Sequence, residues 1–180
     1  FHKYAPSVPV VWSPNFYPPS TMSLYYPGDN YVDFVGVSIY AEYQPDTDPL
    51  KQGVDRNRFS SLLDTLVSLY GHKKPIIISE CGASYRDVRT GADVTEFAST
   101  QIKDFFTYLP IKYPSVVAAY LFETYDSGGR EFELLKNPSY HKAFSESVKS
   151  DVYMSSQWND PETYNFEIGN NVHVPGRTVD

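Results

Sequence analysis

The sequence predicts an α/β fold in which parallel strands alternate with helices. Two observations support this prediction: apolar segments rich in β-branched residues recur four times, and stretches with helical spacing follow the last three of them. Runs such as Ile76-Ile77-Ile78 and Val116-Val117 lack polar alternation, which is typical of strands covered on both faces. Four βα units are half of a (β/α)8 TIM barrel, so we expect about half of such a barrel, with its strands contiguous.

The predicted elements follow one another without an internal repeat. Strands are expected over residues 8–12, 32–40, 75–80 and 116–122. Helices are expected over residues 55–70, from a capping box at Asp93 and Glu96 to Leu109 before Pro110, and from Asn137-Pro138 onward. Between the first two strands, residues 13–30 contain four prolines and are expected to form a loop ordered by rigid turns.

The last thirty residues break this pattern. We assign residues 1–150 to the half-barrel and residues 151–180 to an irregular tail or connector, in which residues 164–168 have the alternation of one short strand. The tail is expected to pack across the barrel, to lead to a further module, or to contact a neighbouring chain.

Composition excludes several classes of function. The net charge of −7, with no stripe of Lys or Arg, argues against a nucleic-acid partner, and no apolar run approaches the roughly 20 residues that cross a bilayer. A single cysteine, Cys81, allows no internal disulfide and is expected to be buried and unreactive. No pair of the four histidines has the spacing of a metal site, so we expect neither metal nor cofactor.

The third strand ends in an acid that needs explaining. Glu80 follows three isoleucines at the end of a buried strand, where barrel enzymes place their catalytic groups. Tyr40 ends the neighbouring strand, and its hydroxyl could hold the Glu80 carboxylate in position. The alternatives are a structural glutamate bonded to a loop and a tyrosine packed on a helix. After the second strand, Glu42, Asp46 and Asp48 form an acidic stretch that is more often solvated than calcium-binding.

Three motifs occur in order: Trp12-Ser13-Pro14-Asn15, then Tyr26-Pro27-Gly28-Asp29-Asn30-Tyr31-Val32-Asp33 running on to Ser38-Ile39-Tyr40, then Lys74-Pro75-Ile76-Ile77-Ile78-Ser79-Glu80-Cys81-Gly82. Together they resemble glycoside hydrolase family 26, which comprises mainly endo-β-1,4-mannanases of the retaining, two-glutamate type. The resemblance covers roughly residues 8–124 and implies barrel strands five to eight. It also implies a polysaccharide partner and an extracellular or secreted location.

The resemblance implies a role for each matching residue. Glu80 is the expected nucleophile and Tyr40 the residue that orients it. The substrate-binding candidates are Trp12, Asn15, Tyr26 and Phe122, with Asp29 as a further possibility. Asp33 belongs to the motif that leads into strand six.

Two features of the family are missing from this pattern. The family's acid/base glutamate lies on strand four, before Phe1, so the chain alone is not expected to be competent. A tryptophan is usual where this chain has Leu121-Phe122-Glu123. Phe122 is then an aromatic platform, and Glu123 either substitutes for the acid or forms a salt bridge or loop anchor.

Three functions therefore stay open. The first is an endo-acting retaining hydrolase of β-1,4-mannan-type polysaccharide, completed by the N-terminal half of the barrel or by a neighbouring subunit. The second is a non-catalytic carbohydrate-binding module that keeps the barrel strands. The third is a subunit of a structural assembly. The first hypothesis predicts an open apolar edge at residues 8–12, because an isolated half-barrel leaves strands unpaired.

Overall fold

A computed structural model describes residues 3–15, 19–44, 58–126 and 128–153 of the 180-residue chain. The chain divides into two units, Phe1–Ser150 and Asp151–Asp180. Most of the second unit lies outside the described residues, as do Asp46 and Asp48. The irregular tail, its short strand and the acidic stretch therefore stay predictions, and the architecture below is that of the first unit.

The first unit is built on a parallel four-stranded sheet in the order β1-β2-β3-β4. These strands are β1 (Val11–Trp12), β2 (Phe34–Ala41), β3 (Ile76–Ala83) and β4 (Val116–Leu121). A short antiparallel hairpin, β5 (Tyr125–Asp126) with β6 (Arg130–Glu131), follows β4. The α/β class and the four contiguous parallel strands are thus confirmed. The hairpin was not predicted, because two residues per strand are too few to show an alternating pattern.

The helices are α1 (Pro19–Met22), α2 (Phe59–Tyr70), α3 (Thr95–Lys112) and α4 (Pro138–Ser147). In the described part of the chain, single turns of 3₁₀ helix lie at Ser23–Tyr25, Asp29–Tyr31 and Leu134–Lys136. The three long helices follow β2, β3 and β4 in chain order, as predicted, and the unpredicted hairpin lies between β4 and the last helix. Asn137 caps α4 as expected, because its side chain accepts a hydrogen bond from the Tyr140 N–H.

Two predicted helix boundaries were wrong. Helix α3 does not stop before Pro110 but continues to Lys112. A proline in the last turn costs one backbone hydrogen bond, which is less disruptive than in the middle of a helix. At the other end, Asp93 does not complete a capping box, because the helix begins only at Thr95. Its carboxylate accepts a hydrogen bond from the Thr95 N–H, two residues on, as in an Asx turn.

Strand β1 is shorter than the predicted segment 8–12. Pro9 has no N–H to donate to a ladder. The N–H of Val10 instead donates to the Asp33 carboxylate over 2.8 Å, and the N–H groups of Asp33 and Phe34 both donate to the Val10 carbonyl. Asp33 is only 5% exposed. This buried aspartate therefore fastens β1 to the start of β2.

One face of the sheet packs against the helices and forms the core. The side chains on this face are at most 1% exposed: Val35, Val37, Ile39, Ala41, Ile76, Ile78, Cys81 and Ala83. They alternate with partly exposed residues such as Tyr40 and Ile77 on the opposite face. Among the residues that the structure describes, helices cover only the face that forms the core, and the opposite face carries the polar and aromatic groups described below.

Tyr140 of α4 supports the carboxyl end of β3 from this core. Its side chain is fully buried, and its hydroxyl oxygen accepts a hydrogen bond from the Ala83 N–H at 3.0 Å. Tyr140→Phe leaves that buried N–H without its acceptor, so we expect a loss of about 1–3 kcal/mol in the free energy of unfolding. Urea denaturation measures it, with Tyr108→Phe at an exposed position of α3 as the control. Equal stability of the two variants would contradict this role for Tyr140.

Candidate active site

A bulge in β3 decides which way Glu80 points. Residues two apart in a strand share a face, so Glu80 would face the helices together with Ile76 and Ile78. The β2–β3 register shifts instead: Val37 pairs with Ile78 and Ser38 pairs with Glu80, which leaves Ser79 as an extra residue. Such a bulge re-aims the side chains that follow it. Glu80 therefore lies on the uncovered face, and Cys81 lies on the helix-covered face.

Tyr40 and Glu80 are in direct contact on the uncovered face. The Tyr40 hydroxyl donates a hydrogen bond to Glu80 Oε2. The two side chains come from the carboxyl ends of neighbouring parallel strands, the edge at which α/β barrels place their sites. Both are partly buried. The structure thus brings together the two residues that the sequence singled out as nucleophile and orienting tyrosine.

Two phenylalanine rings support this pair. Tyr40 packs edge-on against Phe122, with ring centroids 5.5 Å apart, and at a tilt against Phe132, with centroids 5.3 Å apart. Phe122 and Phe132 also contact each other at 5.6 Å. Phe132 is 1% exposed and follows β6 directly, in a part of the chain with no recognisable pattern. Sequence reasoning missed it for that reason. The rings fix the Tyr40 side chain and so the direction of its hydroxyl.

Gly82 allows Phe132 to reach this position. A Cβ atom on Gly82 would lie 2.7 Å from Phe132 Cδ1, closer than packed carbons approach. We expect Gly82→Ala to lower the free energy of unfolding by about 1–3 kcal/mol, as overpacking does. Urea denaturation of Gly82→Ala and of Gly82→Ala/Phe132→Leu measures this effect. The smaller, flexible leucine should restore part of the loss, and a double variant no more stable than Gly82→Ala would contradict the contact.

Asn15 stands in register with Glu80. It pairs with Ser38 of β2, and Ser38 pairs with Glu80, so the three residues form a row across the sheet. Next to this row, the hydroxyls of Ser13 and Ser79 lie 2.7 Å apart. They meet over Gly36, where any Cβ would lie 2.7 Å from both hydroxyl oxygens. The row gives the uncovered face a set of small polar groups beside the carboxylate.

Ion pairs fasten the hairpin to the ends of β2 and β3. Arg130 Nε lies 2.8 Å from Glu42 Oε1, one residue beyond β2. Arg86, just after β3, reaches Glu131 over 3.1 Å. Glu42 is 7% exposed, so its pair with Arg130 is largely desolvated and sensitive to the loss of either partner. Phe132 is thereby held against Tyr40 from two sides.

Trp12 and Tyr26 lie elsewhere. Trp12 pairs with Val35, five residues before Tyr40, which is about 16 Å along the strand. Its ring contacts Tyr26 at 5.0 Å and Tyr70, the last residue of α2, at 5.6 Å. Trp12 and Tyr26 therefore lie apart from Glu80, and their role in binding substrate stays a prediction. The sequence motifs thus contain the residues of an aromatic cluster. The pairing of β1 with β2 places this cluster near the start of β2, at the end of the sheet away from Glu80.

Asp29 and Asp33 also lie outside the group around Glu80. Asp29 Oδ1 accepts a hydrogen bond from the Tyr26 hydroxyl at 2.7 Å. Burial, followed by this bond to Asp29, raises the pKa of Tyr26. Asp33 joins β1 to β2 as described above. Asp29 thus bonds within the segment that precedes β2, and Asp33 joins the start of β2 to β1.

A second carboxylate is the least defined part of the site. Glu123 lies two residues beyond β4 and is exposed. Its use as a substitute acid stays a prediction. Within the described ranges, no group of three or more His, Cys, Asp or Glu side chains could hold a metal ion. No helix in the same ranges is long and apolar enough to cross a membrane.

Cys81 is buried beside the candidate nucleophile. Its side chain is fully enclosed, and its Sγ contacts the Tyr120 carbonyl oxygen at 3.4 Å. Burial raises the pKa of the thiol, so the reactive thiolate form is disfavoured. The expectation of a buried thiol is confirmed.

Comparison with known proteins identifies one family and several similar solved structures. The profile described as Glycosyl hydrolase family 26 matches residues 7–109, more than half of the chain. A GH26 β-mannanase from Bacteroides ovatus, BoMan26A, is similar in structure, with a TM-score of 0.51 and 18% identity. The match covers 84% of this chain and 40% of the mannanase. No curated protein sequence matches significantly.

A GH113 β-1,4-mannanase also matches, with a TM-score of 0.48 and 14% identity over 79% of this chain and 46% of that one. The chain therefore spans less than half the length of these solved structures. At such identities the likeness shows the fold alone, and it is a partial match to barrel-fold glycosidases.

Proposed function

Because the chain belongs to glycosyl hydrolase family 26, we propose that it supplies the nucleophile of a retaining hydrolase that cleaves internal bonds of β-1,4-mannan-type polysaccharides. The observation that supports this most directly is the hydrogen bond from Tyr40 to Glu80 at the carboxyl ends of neighbouring strands. A carboxylate held in a fixed direction is prepared for attack on an anomeric carbon. Family membership by itself implies a carbohydrate substrate and leaves its identity open.

The proposed mechanism needs two carboxyl groups about 5–5.5 Å apart. Glu80 attacks the anomeric carbon and forms a covalent glycosyl-enzyme, while an acid protonates the leaving oxygen. The same second group then acts as a base and activates the water that releases the sugar. We assign that second carboxyl group to the other half of the barrel. The alternative within this chain is Glu123.

The two edge strands support the proposal that further strands complete the sheet. Strand β1 lies at one edge and β4 at the other. Val11 on β1 is 41% exposed, and Val117 and Tyr120 on β4 are 58% and 60% exposed. Unpaired edges with apolar side chains favour association. The N-terminal half of a barrel, in the same polypeptide or in a neighbouring subunit, would cover both edges. We also propose that the protein is secreted, as expected for a hydrolase that acts on polysaccharides.

The test is hydrolysis by the full protein. Reducing-sugar release is measured from β-mannan, β-glucan and xylan, and the anomeric configuration of the first product is followed by NMR. We expect fastest release from β-mannan with the β configuration retained. An inverted product would contradict the nucleophile, and preference for another polymer would contradict the substrate. Absence of hydrolysis on all three would favour the non-catalytic binding module instead.

A further inference from the structure

We propose that a groove between the end of β2 and the start of α3 binds a neutral oligosaccharide and holds the polysaccharide beside the candidate active site. The groove is shallow and open to solvent, with a volume of about 530 Å³. The residues that line it include Tyr43, Asp93, Glu96, Phe97, Thr100 and Gln101. None of these residues belongs to the group around Glu80. The choice of β-mannan as its ligand rests on the proposed function.

An aromatic corner forms one wall of the groove. The rings of Tyr43 and Phe97 meet edge to face with centroids 5.4 Å apart. Tyr43 is 36% exposed, so one part of its ring is fixed by Phe97 and another part faces solvent. A ring held in this way offers an apolar surface to the C–H groups of a sugar at little cost in side-chain entropy.

The remaining wall is polar and carries no positive charge. Asp93 and Glu96 offer carboxylate oxygens, and Gln101 offers both a donor and an acceptor. No Lys or Arg stands among the described residues that line this groove. Hydrogen bonds from Thr95 to Asp93 keep the pKa of that carboxyl low, so it is an ionised acceptor. Such a wall suits hydroxyl groups and repels phosphates and uronic acids.

The backbone of the groove is already ordered. The Thr95 N–H donates to Asp93 Oδ1 at 2.8 Å, and the Thr95 hydroxyl accepts from Asn137 Nδ2 at 2.7 Å. The Val94 N–H donates to the Tyr85 carbonyl at 2.9 Å. These bonds join the start of α3 to the segment after β3 and to the cap of α4. A ligand therefore meets a preformed surface.

The groove opens at the same edge of the sheet as Glu80. Tyr43 follows Tyr40 by three residues, and α3 begins after the segment that leaves the carboxyl end of β3. A second groove of about 450 Å³ shares Thr95, Glu96 and Thr100 with the first, but Lys103 and Lys142 also line it, so the proposed neutral site is limited to the first groove.

Affinity electrophoresis of the full protein through gels that contain β-mannan, β-glucan or xylan tests this site. We expect Tyr43→Ala to weaken retardation by β-mannan at least about fivefold. Tyr108→Ala, at a 58% exposed tyrosine of α3 outside the groove, is the matched control and should migrate like the unaltered protein. The measurement is made in a Glu80→Gln background, so that hydrolysis does not consume the ligand.

The outcomes separate this site from the catalytic proposal. If the protein that retains Glu80 does not hydrolyse β-mannan, but retardation in the Glu80→Gln background depends on Tyr43, the groove is supported and only the proposed function is contradicted. Hydrolysis of β-mannan with equal retardation of the Tyr43 and Tyr108 variants would overturn the groove alone. Absence of retardation in all three polysaccharides, with every variant, would also overturn it.

Discussion

Replacing Glu80 by Gln is expected to lower kcat on β-mannan by about a thousandfold or more, since an amide cannot act as the nucleophile. The glutamine has the same size, and its amide oxygen can still accept the hydrogen bond from Tyr40. We therefore expect the free energy of unfolding to change little. Initial rates of reducing-sugar release by the full protein, together with urea denaturation, measure both effects.

The control for Glu80→Gln is the same chemical change at another glutamate. Glu133 is partly buried and forms an ion pair with Lys136, 2.9 Å away, outside the group around Glu80. Glu133→Gln should leave the rate of hydrolysis nearly unchanged. If Glu80→Gln retains a rate within about tenfold of the unaltered protein, Glu80 is not the nucleophile.

Tyr40→Phe is expected to lower kcat by about ten- to a hundredfold. The variant loses one hydrogen bond to a charged group, which is worth about 1.5–3 kcal/mol. Its ring still packs against Phe122 and Phe132, so the fold should persist. We expect KM to change less than kcat, because the hydroxyl orients the nucleophile and does not provide the main contacts to substrate.

Steady-state kinetics on β-mannan, with circular dichroism as a check on folding, measure the Tyr40 effect. Tyr108→Phe serves as the matched control, because this tyrosine of α3 is 58% exposed and lies on neither edge strand. An unchanged kcat in Tyr40→Phe would contradict an orienting role. A loss of kcat together with loss of the folded spectrum would assign the tyrosine to packing instead.

The strands and long helices could be predicted because each leaves a periodic pattern in the sequence. Ile76 and Ile78 mark β3 as a strand with one face fully buried. Strict alternation from Ile76 and Ile78 would point the Glu80 side chain toward the helices. The extra residue Ser79 shifts the register by one, so Glu80 points to the opposite face. A bulge is a property of two paired strands, so a single strand does not reveal it. Glu80 was identified from its place at a strand end, and its direction was not predictable.

The supporting residues were less predictable, because they come from distant parts of the chain. Phe132 contacts Tyr40 and directly follows the hairpin. The hairpin residue Arg130 is bonded to Glu42, which lies 88 residues earlier in the chain. Trp12, in contrast, is a conspicuous residue in a motif, yet it packs with Tyr70 at the other end of the sheet. Tertiary pairing decides both cases, and neither leaves a local signal in the sequence.

The most direct test of the central claim is covalent trapping of the nucleophile. The full protein is incubated with an activated 2-deoxy-2-fluoro-mannoside, and the labelled peptide is identified by mass spectrometry. A retaining hydrolase forms a covalent intermediate, and the fluorine slows its release. We predict one added fluorosugar on the peptide that contains Glu80. A label on any other carboxylate, in a protein that hydrolyses β-mannan, would contradict the account.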